Sequence, residues 1–251
     1  MTVHSLPLLR IHADSVDSTN DAVRAYYDGN HIVALSADLQ TAGRGRNGKQ
    51  WIGEMGKSVA CSVLIPAAAL PHGFLPQAAA ALAIHRVVER FAANPHRDIR
   101  IKYPNDILVC HEGTWRKVSG ILCEQVFSGS SLSYCIIGIG VNVLRQEFPP
   151  TSGAYQPVSI EEWCGTSQNT RQLSDDLVLL LLEMLSANPA DVFAQWSKRL
   201  ALANKTFTLN NDNGTWLFSS LDTSGILHVR RDGTDTPVAV YDSDSVRYDV
   251  E

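Results

Sequence analysis

The sequence lacks the features that would assign it to a disulfide-rich, zinc-stabilised or membrane class. No two cysteines form a Cys-x-x-Cys pair, and their odd number cannot close a complete disulfide framework. We therefore expect reduced thiols and no metal site. The longest aliphatic run, residues 177–182, is far shorter than the roughly 20 residues of a membrane span. The N-terminus has no basic segment followed by an apolar one. These absences predict a soluble, cytoplasmic protein without a membrane partner.

The chain also has fewer basic than acidic residues. The chain has 21 Lys and Arg against 26 Asp and Glu, which gives a formal net charge of -5. Proteins that bind DNA or RNA in bulk are normally basic, so no nucleic-acid partner is expected and any positive field must be local. With 251 residues, 45% of them hydrophobic, the chain can form one large domain, or one domain with a small appendage.

Hydrophobic patterning and turn signals predict an α+β fold. Short polar turns between successive apolar runs indicate hairpins and a mixed, largely antiparallel sheet. The predicted strands are 31–38, 57–65, 99–103, 106–110, 115–127 and 132–143, and the predicted helices are 18–28, 77–93, 174–187 and 189–202, with a short helix opening at the capping box 159–162. After residue 205, short β-like runs alternate with Gly, Asn and Asp, which is typical of a small β-barrel. The predicted domains are 1–203 and 204–251.

The most informative segment is a glycine-rich loop at residues 43–51, Gly-Arg-Gly-Arg-Asn-Gly-Lys-Gln-Trp. It matches the dinucleotide pattern Gly-x-Gly-x-x-Gly and misses the phosphate-loop pattern only at Gln50. Neither interpretation fits its context, since no helix can open at Trp51 and no acidic residue follows at the required distance. Two alternatives remain: a solvated basic loop, or a loop hinged on glycine that presents Arg44, Arg46 and Lys49 to an anion.

Three further segments carry polar residues within or between predicted strands: 102–107 (Lys-Tyr-Pro-Asn-Asp-Ile), 117–122 (Lys-Val-Ser-Gly-Ile-Leu) and 138–143 (Gly-Ile-Gly-Val-Asn-Val). A lysine on a strand is usually a surface residue. If both lysines lay beside the loop arginines, each like-charge pair at about 4 Å would cost roughly 4 kcal/mol at an effective dielectric constant near 20. Such a cluster makes sense mainly around a polyanionic ligand.

Together with Asp17-Ser-Thr-Asn20, these segments resemble the biotin protein ligase family, the biotin–acetyl-CoA-carboxylase ligases. The resemblance covers residues 10–145, and the motifs follow the family's order with similar spacing. It implies a mixed sheet like that of class II aminoacyl-tRNA synthetases and a small SH3-like C-terminal barrel. It also implies a two-step reaction: biotin and Mg²⁺-bound ATP form biotinyl-5'-AMP, and a lysine of a biotin carboxyl carrier domain then takes the biotinyl group. Family members are monomers or homodimers.

The resemblance assigns roles by matching motif positions. It implies that Lys117, Arg46 and Lys102 are catalytic. The implied biotin-binding residues are Ser18, Thr19, Asn20, Gln40, Arg44, Gly45, Arg46 and Lys117. The implied ATP-binding residues are Arg46, Trp51, Lys102, Asn105, Lys117 and Asn142. One departure is Tyr103, where the family usually has Trp, and Arg145 receives no role.

Three alternatives stay open. The first is a lipoate or octanoate ligase, which has a related fold, although the blocks 40–51 and 117–122 favour biotin. The second is a non-catalytic biotin-binding module, which would be expected to have lost a phosphate-binding Lys or Arg. The third is a DNA-binding regulator, since some bacterial relatives carry an N-terminal winged helix. The motifs here begin by residue 17, so we expect no operator binding.

Overall fold

The computed structural model describes residues 3–70, 75–93, 98–150, 154–200, 202–203, 205–210, 212–241, 245–248 and 250. The strands are β1 (Leu8–Val16), β2 (Ile32–Gln40), β3 (Ser58–Pro66), β4 (Ile99–Lys102), β5 (Asp106–His111), β6 (Thr114–Ser128), β7 (Ser131–Asn142), β8 (Thr206–Leu209), β9 (Asp212–Leu221), β10 (Leu227–Arg231), β11 (Pro237–Val240) and β12 (Val246–Arg247). The α-helices are α1 (Thr19–Ala22), α2 (Pro76–Glu89), α3 (Ile160–Cys164), α4 (Thr170–Ser186) and α5 (Pro189–Leu200).

The main sheet has seven strands in the order β1-β2-β3-β7-β6-β5-β4. Strands β1 and β2 pair in parallel and the other neighbours pair antiparallel, so the predicted mixed and largely antiparallel sheet is confirmed. Strand β1 was not among the predicted strands. It lies at the sheet edge and buries little of its length, so its sequence lacks the apolar pattern that identifies inner strands.

The two faces of this sheet serve different purposes. One face packs against α2, α4 and α5 and forms the principal core, to which α2 contributes the buried alanines 78–81 and 83. Small side chains let this helix approach the sheet closely. The other face has a small apolar cluster of Val23, Val33, Leu35, Leu64 and Ile136 beside α1. The rest of that face remains available for polar side chains.

Several helix boundaries differ from prediction; α2, for example, ends at Glu89 and not at residue 93. The helix predicted at 18–28 is one α-helical turn, α1, followed by a 3-10 turn at Val23–Tyr26. Ser18 occupies the N-cap position of α1 but makes no side-chain capping hydrogen bond there. Helix α4 begins earlier than predicted, at Thr170, where Asn169 accepts a hydrogen bond from the Gln172 amide (2.9 Å). The predicted cap of α3 is confirmed, since Ser159 accepts from the Glu162 amide at 3.1 Å.

The C-terminal region forms a second, antiparallel sheet in the order β11-β10-β9-β8-β12. Strands β11 and β12 are its two edges, so within the described residues the sheet does not close, and the SH3-like barrel is not confirmed. Its buried residues Phe207, Leu227 and Val229 join the same hydrophobic cluster as the main sheet. The boundary at 203/204 stays a prediction.

No single helix in the described part of the chain has the length and apolar character needed to cross a membrane. Helices α4 and α5 meet these criteria only as a pair, and they are bent by 118° relative to each other.

Candidate active site

The open face of the main sheet carries a strip without side chains. In the antiparallel register, Gly140 of β7 lies opposite Gly120 of β6, and Gly138 lies two residues along the same strand. Opposite residues point to one face, and so do residues two apart. These three residues, which we call the glycine floor, leave a shallow depression in the sheet. The register continues from Gly120 to Asp106 and on to Lys102, so two charged residues border the floor.

Trp51 lies across the glycine floor. A Cβ atom placed on Gly140 would be 2.4 Å from the Trp51 ring, and one on Gly120 would be 3.3 Å from it. The ring is held by its loop, since the Trp51 amide donates to the Gly43 carbonyl (2.9 Å). A side chain on Gly43 would collide with the Trp51 carbonyl at 2.4 Å. The predicted loop is therefore a small hairpin, and the left-handed residues Asn47 and Gly48 make its turn.

A β-bulge directs Lys117 to the same face. Residues three apart on a regular strand point to opposite sides of the sheet. The pairing of β5 with β6 shifts register between Ile107 and Leu108, so Val118 is an extra residue in β6. The Lys117 ammonium consequently lies 3.2 Å from the position of a Cβ on Gly120. It forms an ion pair with Asp106, with Nζ 2.6 Å from Oδ1.

Arg46 reaches the same end of the sheet from the loop. Its Nη1 lies 3.4 Å from the Asn105 side-chain oxygen. Asn105 is itself anchored to β6 by two hydrogen bonds. Its side-chain nitrogen donates to the Ile121 carbonyl (3.1 Å), and its backbone carbonyl accepts from the Ile121 amide (3.0 Å). The contact therefore places a guanidinium next to the segment that also carries Asp106.

At the other end of the floor lies a buried polar cluster. Ser62, fully buried, has its hydroxyl 2.7 Å from Thr19 Oγ1 and 2.6 Å from Asn20 Oδ1. The Gln40 side-chain oxygen accepts from both the amide and the hydroxyl of Thr19, at 2.7 and 3.0 Å. A Cβ on Gly138 would lie 2.2 Å from Asn20 Oδ1, so this glycine makes room for the cluster.

Glu124 connects this cluster to Arg44. Its Oε2 accepts from Asn20 Nδ2 (2.7 Å) and lies 3.3 Å from Arg44 Nη2 and 3.2 Å from Arg24 Nη2. Arg44 also pairs with Asp21 at 2.7 Å. Arg44 therefore has acidic partners in the folded chain, as Lys117 has in Asp106, and the expectation that the cluster surrounds a polyanionic ligand stays a prediction.

The remaining residues predicted for the site make other contacts, each in a different part of the structure. The Lys102 ammonium lies 5.5 Å from the centroid of the Tyr248 ring. Asn142 is buried at the end of β7 and donates to the Val158 carbonyl at 3.3 Å. Ser18 is buried, and its backbone carbonyl accepts from Ala22. The Gly45 amide is used inside the loop hairpin, where it donates to the Lys49 carbonyl at 2.7 Å.

The structure therefore brings the predicted cations to one face and adds residues that sequence reasoning missed. These are Ser62, Asp106, Glu124 and the glycines of the floor. The glycines had a detectable signal, since Gly-x-Gly inside a strand marks a face where another group approaches closely. Arg145 lies outside this set and lines a cleft of about 970 Å³ with Glu54, Lys57 and Arg116 among others.

Two other chemistries, catalysis by a cysteine thiolate and binding of a metal ion, find little support in the described residues. All five cysteines are free, and burial raises the pKa of Cys61 and of Cys135 to about 12, so these two thiols stay protonated. Among the described residues, His12, Asp14 and Asp38 could together hold a metal ion. The Arg171 guanidinium contacts both His12 and Asp38, and a cation at that point competes with a metal.

Comparison with known proteins identifies the family of the chain. Residues 13–142 match the model of the biotin/lipoate A/B protein ligase family. The biotin–[acetyl-CoA-carboxylase] ligase of Paracoccus denitrificans is 31% identical over 190 residues, which cover 73% of this chain and 71% of that protein. The bifunctional ligase/repressor BirA of Bacillus subtilis is 34% identical over 145 residues, which cover 55% of this chain and only 42% of its own length.

Solved structures show the same architecture. The biotin protein ligase of Leishmania major in complex with biotin superposes with a TM-score of 0.64 at 25% identity, over 92% of this chain and 97% of that one. The Aquifex aeolicus biotin protein ligase with biotin and ATP has a TM-score of 0.72 over 96% of this chain and 98% of that one, at 23% identity, and supports the fold. The family match and the sequence relatives thus define an enzyme of the ligase class. The chain belongs to the biotin/lipoate A/B protein ligase family, which confirms the family recognised from the motifs.

Proposed function

We propose that this enzyme activates biotin with ATP to form biotinyl-5'-AMP and transfers the biotinyl group to a lysine of a biotin carboxyl carrier domain. The observation that carries the proposal is the placement of Lys117, Arg46 and Lys102 around one end of the glycine floor, with a buried polar cluster at the other end. This arrangement suits a ligand with an uncharged polar head and a carboxylate tail, next to a polyphosphate.

The buried cluster supports biotin as the acid. The biotin ring is uncharged, and its ureido group needs hydrogen-bond partners inside an otherwise enclosed pocket. The hydroxyl of Thr19 and the side-chain amides of Asn20 and Gln40 supply such groups at one point. Arg44, about two-fifths exposed, lies at the edge of this cluster through its contact with Glu124. We expect it to close over the bound ligand.

The first step brings two anions together. A biotin carboxylate oxygen attacks the α-phosphorus of ATP, the bond from that phosphorus to the bridging oxygen breaks, and pyrophosphate leaves with the electron pair. The chain needs no nucleophile of its own for this displacement. Its contribution is to position the reactants and to neutralise charge, which are the principal sources of catalysis in phosphoryl chemistry. Lys117 would contact the carboxylate and the phosphate, where the charge changes most.

Magnesium would enter as part of the nucleotide substrate. Mg²⁺ prefers oxygen ligands from carboxylates, amides and phosphates. Asn105 and Asp106 carry such oxygens next to Arg46 and Lys117, so this donor set fits the ion.

In the second step the amine of the acceptor lysine attacks the carbonyl carbon of the mixed anhydride, and AMP leaves. Trp51 and Asn142 would lie near the adenylate, which a covering loop protects from water.

The test is ATP–pyrophosphate exchange with Mg²⁺ and either biotin, lipoate or octanoate as the acid. We expect exchange with biotin alone. Exchange with lipoate or octanoate instead would assign the chain to the other branch of its family. No exchange with any of the three acids, from folded protein, would favour a binding module. The carrier-domain acceptor, the cytoplasmic location, the choice between monomer and homodimer, and the domain boundary at 203/204 remain proposals to be tested separately.

A further inference from the structure

The C-terminal sheet reaches the candidate site at Lys102. This lysine is the last residue of β4. In the sheet register it lies opposite Asp106, the residue that forms an ion pair with Lys117. Its ammonium lies 5.5 Å from the centroid of the Tyr248 ring. Tyr248 follows β12 in the C-terminal sheet, far along the chain from the site motifs. An ammonium at this distance from an aromatic face is attracted by the ring quadrupole.

A second contact fixes the same segment. The Tyr248 hydroxyl oxygen accepts a hydrogen bond from the Tyr103 backbone amide at 2.7 Å. Tyr103 follows Lys102 directly, so this bond holds the main chain at the point where the lysine side chain departs. The Tyr103 hydroxyl also donates to the Gly225 carbonyl (3.0 Å), in the turn before β10. Tyr103 thus donates two hydrogen bonds to the C-terminal region, one from its backbone amide and one from its side chain.

Tyr248 is itself held rigidly. Only 9% of the residue is exposed, and its ring lies 5.2 Å from that of Phe207 in β8. Burial raises the pKa of Tyr248 well above its usual value, so the phenol stays neutral at physiological pH. A neutral ring attracts an ammonium without cancelling its charge, unlike the carboxylates that hold Lys117 and Arg44.

We propose that Tyr248 is a positioning residue for the nucleotide step: it holds the Lys102 ammonium towards the triphosphate and makes the C-terminal sheet part of the ATP site. This inference rests on the proposed function, in which Lys102 binds phosphate. It predicts that the electron density of the ring at position 248, apart from its size, changes the affinity for ATP and leaves the affinity for biotin unchanged.

The experiment compares two rings of similar shape in the full chain. Tyr248→Phe keeps the electron-rich face, whereas Tyr248→pentafluorophenylalanine reverses its quadrupole. ATP with Mg²⁺, and separately biotin, are titrated by calorimetry, and KM for each is measured by pyrophosphate exchange. We expect the fluorinated ring to weaken ATP binding about three- to tenfold relative to Phe, with biotin binding unchanged. The matched control is the same fluorinated residue at Tyr241, which directly follows β11 and is 83% exposed.

A Lys102→Met background tests whether the ring at position 248 changes ATP affinity through Lys102. If Tyr248 acts through Lys102, the difference between the two rings disappears in that background, since a double-mutant cycle isolates the pairwise interaction. Equal ATP affinity of the two ring variants in the chain that retains Lys102 would overturn the inference, and so would a difference that persists in the Lys102→Met background. A wild-type chain that binds ATP but shows no biotin-dependent exchange would overturn the proposed function alone, because the calorimetric comparison would still decide the role of Tyr248.

Discussion

Gly140→Ala is the smallest change that should disturb the site without touching a charged residue. Gly140 lies in the middle of β7, directly beneath the Trp51 ring. A methyl group there would approach three ring atoms at 2.4, 2.6 and 2.8 Å. Carbon atoms in good contact are about 3.5–4.0 Å apart. The ring must therefore move by about 1 Å or more, or leave the glycine floor.

The size of the effect follows from the packing. Overfilling a close-packed site typically costs about 1–3 kcal/mol. For a chain of this size we expect the melting temperature to fall by about 2–4 °C for each kcal/mol. Because Trp51 is predicted to lie near the adenylate, we also expect KM for ATP in pyrophosphate exchange to rise by about five- to a hundredfold, the equivalent of that energy if all of it opposes binding.

The double variant Trp51→Ala, Gly140→Ala provides the control. Without the indole ring the new methyl group meets no obstacle from Trp51, so Gly140→Ala should cost little stability in the Trp51→Ala background. Thermal unfolding and pyrophosphate exchange are measured for the four chains of this cycle. If Gly140→Ala lowers the melting temperature equally with and without Trp51, the ring does not lie on the floor and the account of the site is wrong.

Three further predictions concern single charged residues. Lys117→Ala should reduce adenylate formation by about 10²–10³-fold, as expected for loss of an electrostatic contact to the transition state, with circular dichroism unchanged; pyrophosphate exchange near the wild-type rate would refute its catalytic role. Arg44→Ala should weaken biotin binding and hasten adenylate loss about tenfold or more, since it removes a charged hydrogen-bond donor, and unaltered calorimetry and adenylate retention would contradict this. The hydrogen bond from Arg90 holds the pKa of Asp176 below its ordinary value. Asp176→Asn should therefore lower the melting temperature slightly at pH 7, by an amount that shrinks as the pH falls below about 4, and a difference that grows on acidification would exclude the pair.

The sequence predicted the fold class well because the inner strands carry strong signals. Strands β3 and β7 are apolar runs bounded by turn residues, and both lie in the middle of the sheet. Edge strand β1 was missed because half-exposed strands do not need a continuous apolar pattern. The C-terminal barrel is not confirmed in the described residues, since short alternating strands predict antiparallel pairing but do not determine whether the last strand meets the first.

Some residues of the candidate site could likewise be identified from the sequence, whereas others could not. Arg46, Lys102 and Lys117 stood out because cations in motifs on an acidic chain are chemically conspicuous. Their partners Asp106 and Glu124 did not stand out, since pairing depends on a strand register that the sequence leaves open. The bulge at Val118 is the clearest case: without it, alternation along β6 would turn Lys117 away from Gly120. One extra residue in the strand thus decides whether Lys117 reaches the candidate site.

The way in which each cation is held bears on how the nucleotide would enter. Lys117 is paired with Asp106, so an incoming phosphate must displace a carboxylate that lies 2.6 Å from the ammonium. In an effective dielectric near 20, that contact and a phosphate contact at the same distance differ little in energy per unit charge. Under the proposed function, the exchange is favourable when the released Asp106 gains its own cation, which Mg²⁺ bound to ATP would supply. ATP without Mg²⁺ should therefore bind this site poorly, because Lys117 would gain a partner only by leaving Asp106 without one.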